Sequence, residues 1–235
     1  MAFRYSPKIV TDGLVLYLDA ANTKSYVSGS TTWNDISRSG INGTLTNGPS
    51  FNSSNAGSIV FDGVDDWVNF GASGASLIQG KTELTMGLFF KSNTNLVLRS
   101  LFGTLRYGCG RNIGLVSSFN NLVFYNDYGD PETGTCYAVG FSNYVIPNTW
   151  IYVVATYDGT TTKVYAIKEG NLSIASGTTK SGPTNIFTYN LEMGRGGFGQ
   201  FLTGNIANAF IYNRALSQEE VLQNYNTTKS RFGLT

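Results

Sequence analysis

The chain has 235 residues, a formal net charge of +1, only 13% charged residues and no histidine. The absence of histidine excludes Ser-His-Asp and Cys-His catalytic arrangements as well as histidine-ligated zinc sites. Lys and Arg are scattered along the chain, which gives no electrostatic basis for binding nucleic acid or an anionic membrane. We therefore expect no nucleic-acid partner and no membrane insertion.

Short apolar runs bounded by Gly, Asn, Asp or Ser recur along almost the whole chain, and this pattern is typical of antiparallel strands. The first run, GLVLYLDA, carries apolar residues on both faces, which predicts a central strand. A turn at Asp158-Gly159 joins two further runs and predicts a β-hairpin. The other predicted strands are SIVFDG, DWVNFG, LTMGLFFK, NLVFYND, CYAVGF, YNLEMG and NIANAFIYN. These ten segments, with at least eleven strands expected in all, predict an all-β fold class, a two-sheet antiparallel jelly-roll sandwich.

One short helix is predicted near the end of the chain. Ser217 is the expected N-cap, Glu220 completes a capping box, and Leu216 with Val221 forms a hydrophobic staple. Its narrow apolar stripe predicts docking on the sandwich. We expect residues 13–228 to form one domain, residues 1–12 an N-terminal arm and residues 229–235 a C-terminal tail, both arms lying outside the fold.

The first residues, MAFRYSPKIV, lack the apolar segment of a secretory signal. We therefore expect synthesis in a cytoplasm. In such a reducing compartment, Cys109 and Cys136 are expected to be two free thiols rather than a disulfide.

The densest acidic cluster is Asp62, Asp65 and Asp66 in FDGVDDW, at a turn between two predicted strands. Oxygen ligands gathered on a tight loop suit Ca²⁺, so these residues are the candidate metal ligands. The alternative is a hairpin turn in which Asp62 bonds to its own backbone and the other two carboxylates are solvated.

Aromatic and Asn residues recur in the predicted loops, and Trp67, Asn126 and Tyr128 are the candidate ligand-binding residues. An aromatic plane with neighbouring amides suits a glycan. The same composition suits a protein contact, and a core position is the alternative for any single Trp. Arg195, among glycines, could clamp a carboxylate such as that of sialic acid or be a solvated loop charge.

Catalysis is not expected. Glycoside hydrolysis requires two carboxyl groups facing each other across the sugar bond. The pattern Glu-x-Asp-x-x-Glu along a strand does not occur, and Glu192 is the one Glu within a predicted strand. We therefore assign no catalytic residue.

Five segments in order resemble the laminin-G-like, concanavalin A-like domain superfamily: GLVLYLDAAN, TTWNDISRSGINGTL, SIVFDGVDDWVNFG, WIYVVATYDGTTTKVY and GNIANAFIYNRALSQEEVLQNYN. The resemblance implies a jelly roll that binds glycans or proteins, usually does no chemistry, and often holds Ca²⁺ at the rim of the sandwich. The start MAFRYSPKIVTDGLVLYLDAAN and the end RFGLT resemble structural proteins of tailed bacteriophage particles.

These observations lead to a hypothesis and two alternatives. The hypothesis is a non-enzymatic protein of the phage virion surface, bound to a capsid or tail protein, with glycan adhesion as an added activity and homo-oligomers on the particle. The first alternative is a receptor-binding lectin for bacterial surface polysaccharide. The second is a polysaccharide-cleaving enzyme.

Overall fold

The structure is a computed structural model that describes residues 8–95, 98–104, 113–126, 137–178, 181–186, 188–196 and 199–234. Within these ranges, eighteen strands form two large antiparallel sheets and one small hairpin. Four of the eighteen strands have only two residues, and the strand number agrees with the prediction of at least eleven. The described part of the chain is thus mostly β-structure, and the predicted all-β sandwich is confirmed.

Sheet A contains, in spatial order, β14 (Asn171–Thr178), β13 (Thr161–Lys168), β12 (Trp150–Tyr157), β7 (Leu84–Ser92), β18 (Thr203–Tyr212), β5 (Ser58–Asp62) and β4 (Ser50–Asn52), and β1 (Leu14–Asp19) also pairs with β18. Sheet B contains β11 (Ala138–Phe141), β10 (Asn121–Asn126), β9 (Ile113–Ser118), β8 (Leu98–Gly103), β15 (Glu192–Met193), β6 (Trp67–Asn69), β3 (Gly43–Thr46) and β2 (Thr32–Trp33). The small hairpin consists of β16 (Arg195–Gly196) and β17 (Gln200–Phe201). The helices are α1 (Gly71–Ala75) and α2 (Gln218–Thr228), and single 3₁₀ turns occur at Ser54–Ala56 and Lys229–Phe232.

The main core lies between the two sheets. Sheet A contributes side chains such as Leu88 and Phe90 of β7, and sheet B contributes side chains such as Leu115 and Phe124. A second apolar cluster covers the outer face of sheet A. Because sheet A is buried on both faces, its central strand β12 is apolar on both faces, as its sequence predicts. The prediction that β1 is a central strand is wrong, because among the described strands β1 pairs with β18 alone; both of its faces are nevertheless covered by apolar clusters.

Helix α2 covers part of the outer face of sheet A. Ser217 Oγ accepts from the Glu220 N–H at 3.3 Å, and the Ser217 N–H donates to Glu220 Oε2 at 2.9 Å. The predicted capping box is therefore confirmed. Val221 and Tyr225 are buried, and Tyr225 lies parallel to Phe89 of β7, so the helix docks on sheet A as its apolar stripe predicts.

The described parts of the two predicted arms contact the sandwich instead of extending from it. The Val10 N–H donates to Asn224 Oδ1 at 2.8 Å, and its carbonyl accepts from the Tyr212 hydroxyl at 2.8 Å. The Phe232 ring stacks on Phe89 with centroids 4.1 Å apart. None of the helices in the described ranges is long and apolar enough to cross a bilayer.

Candidate functional site

A mixed aromatic and polar patch lies on the outer face of sheet B. Thr44 is directly opposite Asn69, and Thr46 is directly opposite Trp67. Directly paired residues point to the same face of a sheet, and Leu45 and Val68, which alternate with them, belong to the main core. The four side chains therefore point away from the core.

Strand β15 extends the patch, because Glu192 is paired with Asn69 on the opposite edge of β6. Arg195 follows three residues later. We call the set of Thr44, Thr46, Trp67, Asn69, Glu192 and Arg195 the Trp67 face.

The turn after β15 places Arg195 over Trp67. Gly194 has φ = 79°, a left-handed conformation that favours glycine, and a Cβ there would lie 2.7 Å from a ring carbon of Phe61. Beyond this turn, the guanidinium carbon of Arg195 lies 4.5 Å from the centre of the Trp67 ring. This is a cation–π contact between residues 128 positions apart in the chain.

Glu192 forms an ion pair with Arg195. An Arg195 Nη1 to Glu192 Oε1 distance of 3.7 Å makes an ion pair that is too long for a hydrogen bond. The Glu192 side chain is 6% exposed and that of Arg195 is 30% exposed. Arg195 is therefore not a solvated loop charge, because it contacts both Glu192 and the Trp67 ring. Its exposed part presents N–H donors to solvent.

The Trp67 face offers the groups that sugar recognition uses. Trp67 and Asn69 are partly exposed and Thr44 is exposed, so an aromatic ring, an amide and a hydroxyl are accessible together. Aromatic rings cover sugar C–H groups, while amides, hydroxyls and guanidinium groups bond to sugar hydroxyls. The interpretation of Trp as core applies to Trp33, which is fully buried, and not to Trp67.

The acidic cluster lies at the turn that precedes Trp67. Asp62 Oδ1 accepts from the Val64 N–H at 2.8 Å, and Asp66 Oδ2 accepts from the Asp62 N–H at 3.0 Å. One carboxylate oxygen from each of Asp62, Asp65 and Asp66 lies within 4.8 Å of the others. The predicted Asx-type turn is present, and the same turn gathers the three candidate metal ligands.

The electrostatics of this turn favour a cation. Burial raises the pKa of Asp66, the hydrogen bond from Asp62 N–H opposes this, and the negative charges of Asp62 and Asp65 raise it further. A cation would offset the mutual repulsion. The donor set of carboxylate oxygens on an exposed turn fits Ca²⁺, a hard ion that takes oxygen ligands in flexible geometry.

The other predicted ligand residues are not at this site. Asn126 is the last residue of β10, where Leu122, Phe124 and Asn126 alternate onto the core side, and its side chain is fully buried. Within the described residues its amide has no hydrogen-bond partner. The sequence prediction that Asn126 lies in an accessible loop is corrected accordingly. Tyr128, Cys109 and Cys136 lie outside the described residues.

The residues that the sequence analysis missed are Thr44 and Thr46, whereas Asn69 is one of the Asn residues that accompany the aromatic residues in the sequence. The alternation in DWVNFG already places Trp67 and Asn69 on one face. Glu192 was noted as standing alone in its strand. Its pairing with Asn69 and its contact with Arg195 depend on strand order, which sequence periodicity does not contain.

Solved structures of similar fold come from several proteins. Domain 4 of the extracellular arabinanase AbnA of Geobacillus stearothermophilus, solved with arabinotriose, is 14% identical with a TM-score of 0.61, covering 93% of this chain and 100% of that domain. Trypanosoma rangeli sialidase with sialic acid is 16% identical with a TM-score of 0.59, covering 93% of this chain and 33% of the sialidase. The binding domain of Paraclostridial Mosquitocidal Protein 1 is 15% identical with a TM-score of 0.64, covering 93% of this chain and 52% of that chain.

Sequence comparison gives the family. No curated protein matches this chain significantly in sequence. A family model described as the concanavalin A-like lectin/glucanases superfamily matches residues 62–222, which is more than half of the chain and runs from the acidic turn to helix α2. The chain therefore belongs to the concanavalin A-like lectin/glucanases superfamily.

Proposed function

We propose that this chain is a non-enzymatic glycan-binding domain and that the Trp67 face contacts the sugar. The observation that carries the proposal is the stack of Arg195 on the partly exposed Trp67 ring, beside Asn69 on the same sheet face. This arrangement combines an aromatic platform with hydrogen-bond donors and acceptors. The arabinanase domain of similar fold, which was solved with arabinotriose and is matched over its whole length, supports the proposal.

The electrostatics of the face favour an uncharged sugar. Arg195 is already paired with Glu192, whose carboxylate is almost fully buried. A carboxylate ligand such as sialic acid would approach that second negative charge at short range, which is unfavourable. A neutral sugar can accept from the outward N–H groups of Arg195 without displacing Glu192. Bacterial surface polysaccharide of neutral composition is the ligand class that we propose.

The proposal that the domain is not an enzyme is supported by the placement of its carboxylates. In the described residues, the group of three acidic side chains that lie close together belongs to a single turn, Asp62 to Asp66, and Asp12 and Glu220 are both paired with Arg214. Hydrolysis requires two carboxyl groups that face each other across the glycosidic bond, whereas these three carboxylates extend from one turn and gather within 4.8 Å. Glu192 is engaged by Arg195 rather than by a second carboxyl group.

We also propose that the Asp62, Asp65 and Asp66 turn binds Ca²⁺. These residues would hold the ion through carboxylate oxygens, and the bound ion would fix the turn that leads into Trp67. The proposed role is structural: the ion would neutralise repulsion within the turn and thereby position the start of β6.

A further proposal concerns the particle on which the domain is carried. We propose that it is carried on the surface of a bacteriophage particle, bound to a capsid or tail protein, where many copies would convert weak sugar sites into strong adhesion. Its support is the resemblance of the first 22 residues, MAFRYSPKIVTDGLVLYLDAAN, to those of phage structural proteins. Mass spectrometry and imaging of purified particles test it. Regular copies on the capsid or tail are expected, and absence from particles would reject it.

Glycan binding is tested first on a glycan array. The wild-type domain is expected to bind neutral bacterial polysaccharides, and Trp67→Ala is expected to lose the signal while keeping its thermal unfolding temperature within a few degrees. Trp150→Ala is the matched control, because Trp150 is also partly exposed with a cation, Lys91, 5.5 Å from its ring centre, but lies on sheet A. A wild-type domain that binds no glycan, with or without Ca²⁺, would reject the proposal.

A further inference from the structure

The turn between β9 and β10 has an unusual residue at its tip. Phe119 and Asn120 have φ = 50° and φ = 62°, so both central residues of this two-residue hairpin are left-handed. Such turns favour Asn and Gly, and Asn120 fits this preference. Phe119 does not, because a bulky side chain with positive φ is strained. Its ring is also 69% exposed, so the position has two unfavourable features at once.

The chain segments that contact the Phe119 tip are polar. Asn120 Nδ2 donates to Asn95 Oδ1 at 3.3 Å, and the Asn120 carbonyl accepts from the Tyr144 N–H and the Val145 N–H, both at 2.9 Å. Three segments therefore meet here, residues 92–95, 117–121 and 142–149. None of these segments contains a charged residue.

Among the described side chains, that of Lys168 brings a charge to these segments. Lys168 Nζ donates to the Tyr144 carbonyl at 3.1 Å and lies 4.5 Å from the centre of the Tyr144 ring. The Lys168 charge is thus engaged by the carbonyl and the ring of Tyr144. What the tip presents is an exposed aromatic ring among amides, with the apolar side chain of Ile146 also 46% exposed. This composition suits an uncharged sugar ring.

Phe119 and Trp67 lie at the same end of sheet B. Adjacent strands are antiparallel from β6 through β15 and β8 to β9, so the start of β6 and the end of β9 lie at one end. Trp67 begins β6, and Phe119 directly follows β9. Three strand spacings separate the two strands, about 14 Å across the sheet. Phe119 also lies about three residues further along the strand direction than Trp67, because Val68 is level with Phe102 through Met193 while Ser118 pairs with Leu98, and this adds about 10 Å.

We propose that Phe119 is a second sugar-contact residue, and that the ligand is an uncharged oligosaccharide chain that lies across the strand ends from the Trp67 face to Phe119. This inference rests on the proposed function and specifies its ligand as an extended chain rather than a single sugar. The strain and exposure of Phe119 are then explained by contact with the ligand, because bound sugar would cover the ring.

The test is a length series. Size-fractionated arabino-oligosaccharides and fragments of the best neutral glycan from the array are titrated, from the monosaccharide upward, into the wild type, Phe119→Ala and Trp67→Ala. Wild-type affinity should rise with length. The affinity of Phe119→Ala should equal that of the wild type for the shortest sugars. For the longest sugars it should be about tenfold lower, the range expected for one lost aromatic contact. Trp67→Ala should weaken binding at every length.

Control variants separate this inference from the proposed function. Ile186→Ala removes another exposed apolar side chain, 79% exposed compared with 69% for Phe119, from a different loop and should leave every affinity unchanged. If Phe119→Ala equals the wild type at all lengths, this inference is overturned while the proposed function stands. If the wild type binds neither series nor any array glycan, both are overturned.

A stability measurement distinguishes a binding role from a structural one. Phe119→Asn places a residue suited to left-handed φ at the turn, so its unfolding temperature should rise by about 2–4 °C while affinity for long oligosaccharides falls. A fall in unfolding temperature with unchanged affinity would show that Phe119 serves the fold, and would overturn the inference.

Discussion

The guanidinium carbon of Arg195 lies 4.5 Å from the centre of the Trp67 ring, although β6 and β16 are distant in sequence. The contact joins the outer face of sheet B to the small β16–β17 hairpin, whose first strand packs against β8. It also restricts the orientation of the Trp67 ring on that face. The position of Trp67 is therefore set before any ligand arrives, which lowers the entropy cost of binding.

Replacing the stacked cation should weaken glycan binding without unfolding the domain. Arg195→Lys keeps the charge but loses the planar guanidinium, and a cation–π contact at an exposed site contributes about 0.5–1 kcal/mol. We expect an affinity loss of about two- to fivefold by titration calorimetry. Lys91→Met, which removes the cation over Trp150, is the control. Equal losses from both variants would indicate a general surface effect and argue against the Trp67 face.

Calcium should raise thermal stability through the acidic turn. At about a hundred times its dissociation constant the ion would contribute about 2.7 kcal/mol, or about 5–10 °C in unfolding temperature for a domain of this size. Asp65→Asn should abolish the increase. Asp158→Asn is the control, because Asp158 supports a different turn by accepting from the Thr160 and Thr161 N–H groups. An increase that Mg²⁺ reproduces or that Asp65→Asn retains would contradict the assigned site.

Removing Arg231 should release the C-terminal segment from sheet A. Arg231 Nη1 donates to Asp19 Oδ1 at 2.8 Å, and its other nitrogens donate to the carbonyls of Asn55 and Gly57. Both side chains of the ion pair are only 14% exposed. Arg231→Met would leave Asp19 without this partner, and we expect a loss of about 3 kcal/mol in urea unfolding.

The Arg231 result is checked by a double-mutant cycle with Asp19→Asn. The two losses should be less than additive, because both variants break the same ion pair. Strict additivity would mean that the main-chain contacts of Arg231, and not Asp19, hold the segment.

Acid should destabilise the domain partly through Glu220. Its hydrogen bonds from Arg214, at 2.8 and 2.6 Å, lower its pKa in the folded state. A group with a lowered folded-state pKa contributes stability above its unfolded pKa and loses it as pH falls through the folded value. The free energy of unfolding should therefore fall less on acidification below about pH 4 in Glu220→Gln than in the wild type. Parallel pH profiles for the two proteins would count against this contribution.

Local chemistry explains which elements the sequence predicts well. The β12–β13 hairpin follows from the Asp158-Gly159 turn, and α2 follows from the Ser217 capping box, because each depends on residues within a few positions. Strand β14 was not predicted. Its turn uses Glu169 at φ = 52° before Gly170 at φ = 80°, and Glu is a poor indicator of a turn with two left-handed residues.

The candidate site was predicted only in part. Trp67 and the acidic turn are visible as a short motif, but the partners of Trp67 come from strands that neighbour β6 only after the sheet has formed. Asn126 was predicted wrongly for a different reason. Its type suggested a loop, while its position in the alternation of β10 places it on the core side.

Titration of the wild type and Trp67→Ala with a neutral oligosaccharide, followed by mass spectrometry of the recovered sugar, tests the central claim most directly. The account predicts saturable binding by the wild type, at least about tenfold weaker binding by the variant, and sugar recovered intact. Equal affinity in the two proteins would contradict the assignment of the Trp67 face, and cleaved sugar would contradict a domain that binds without catalysis.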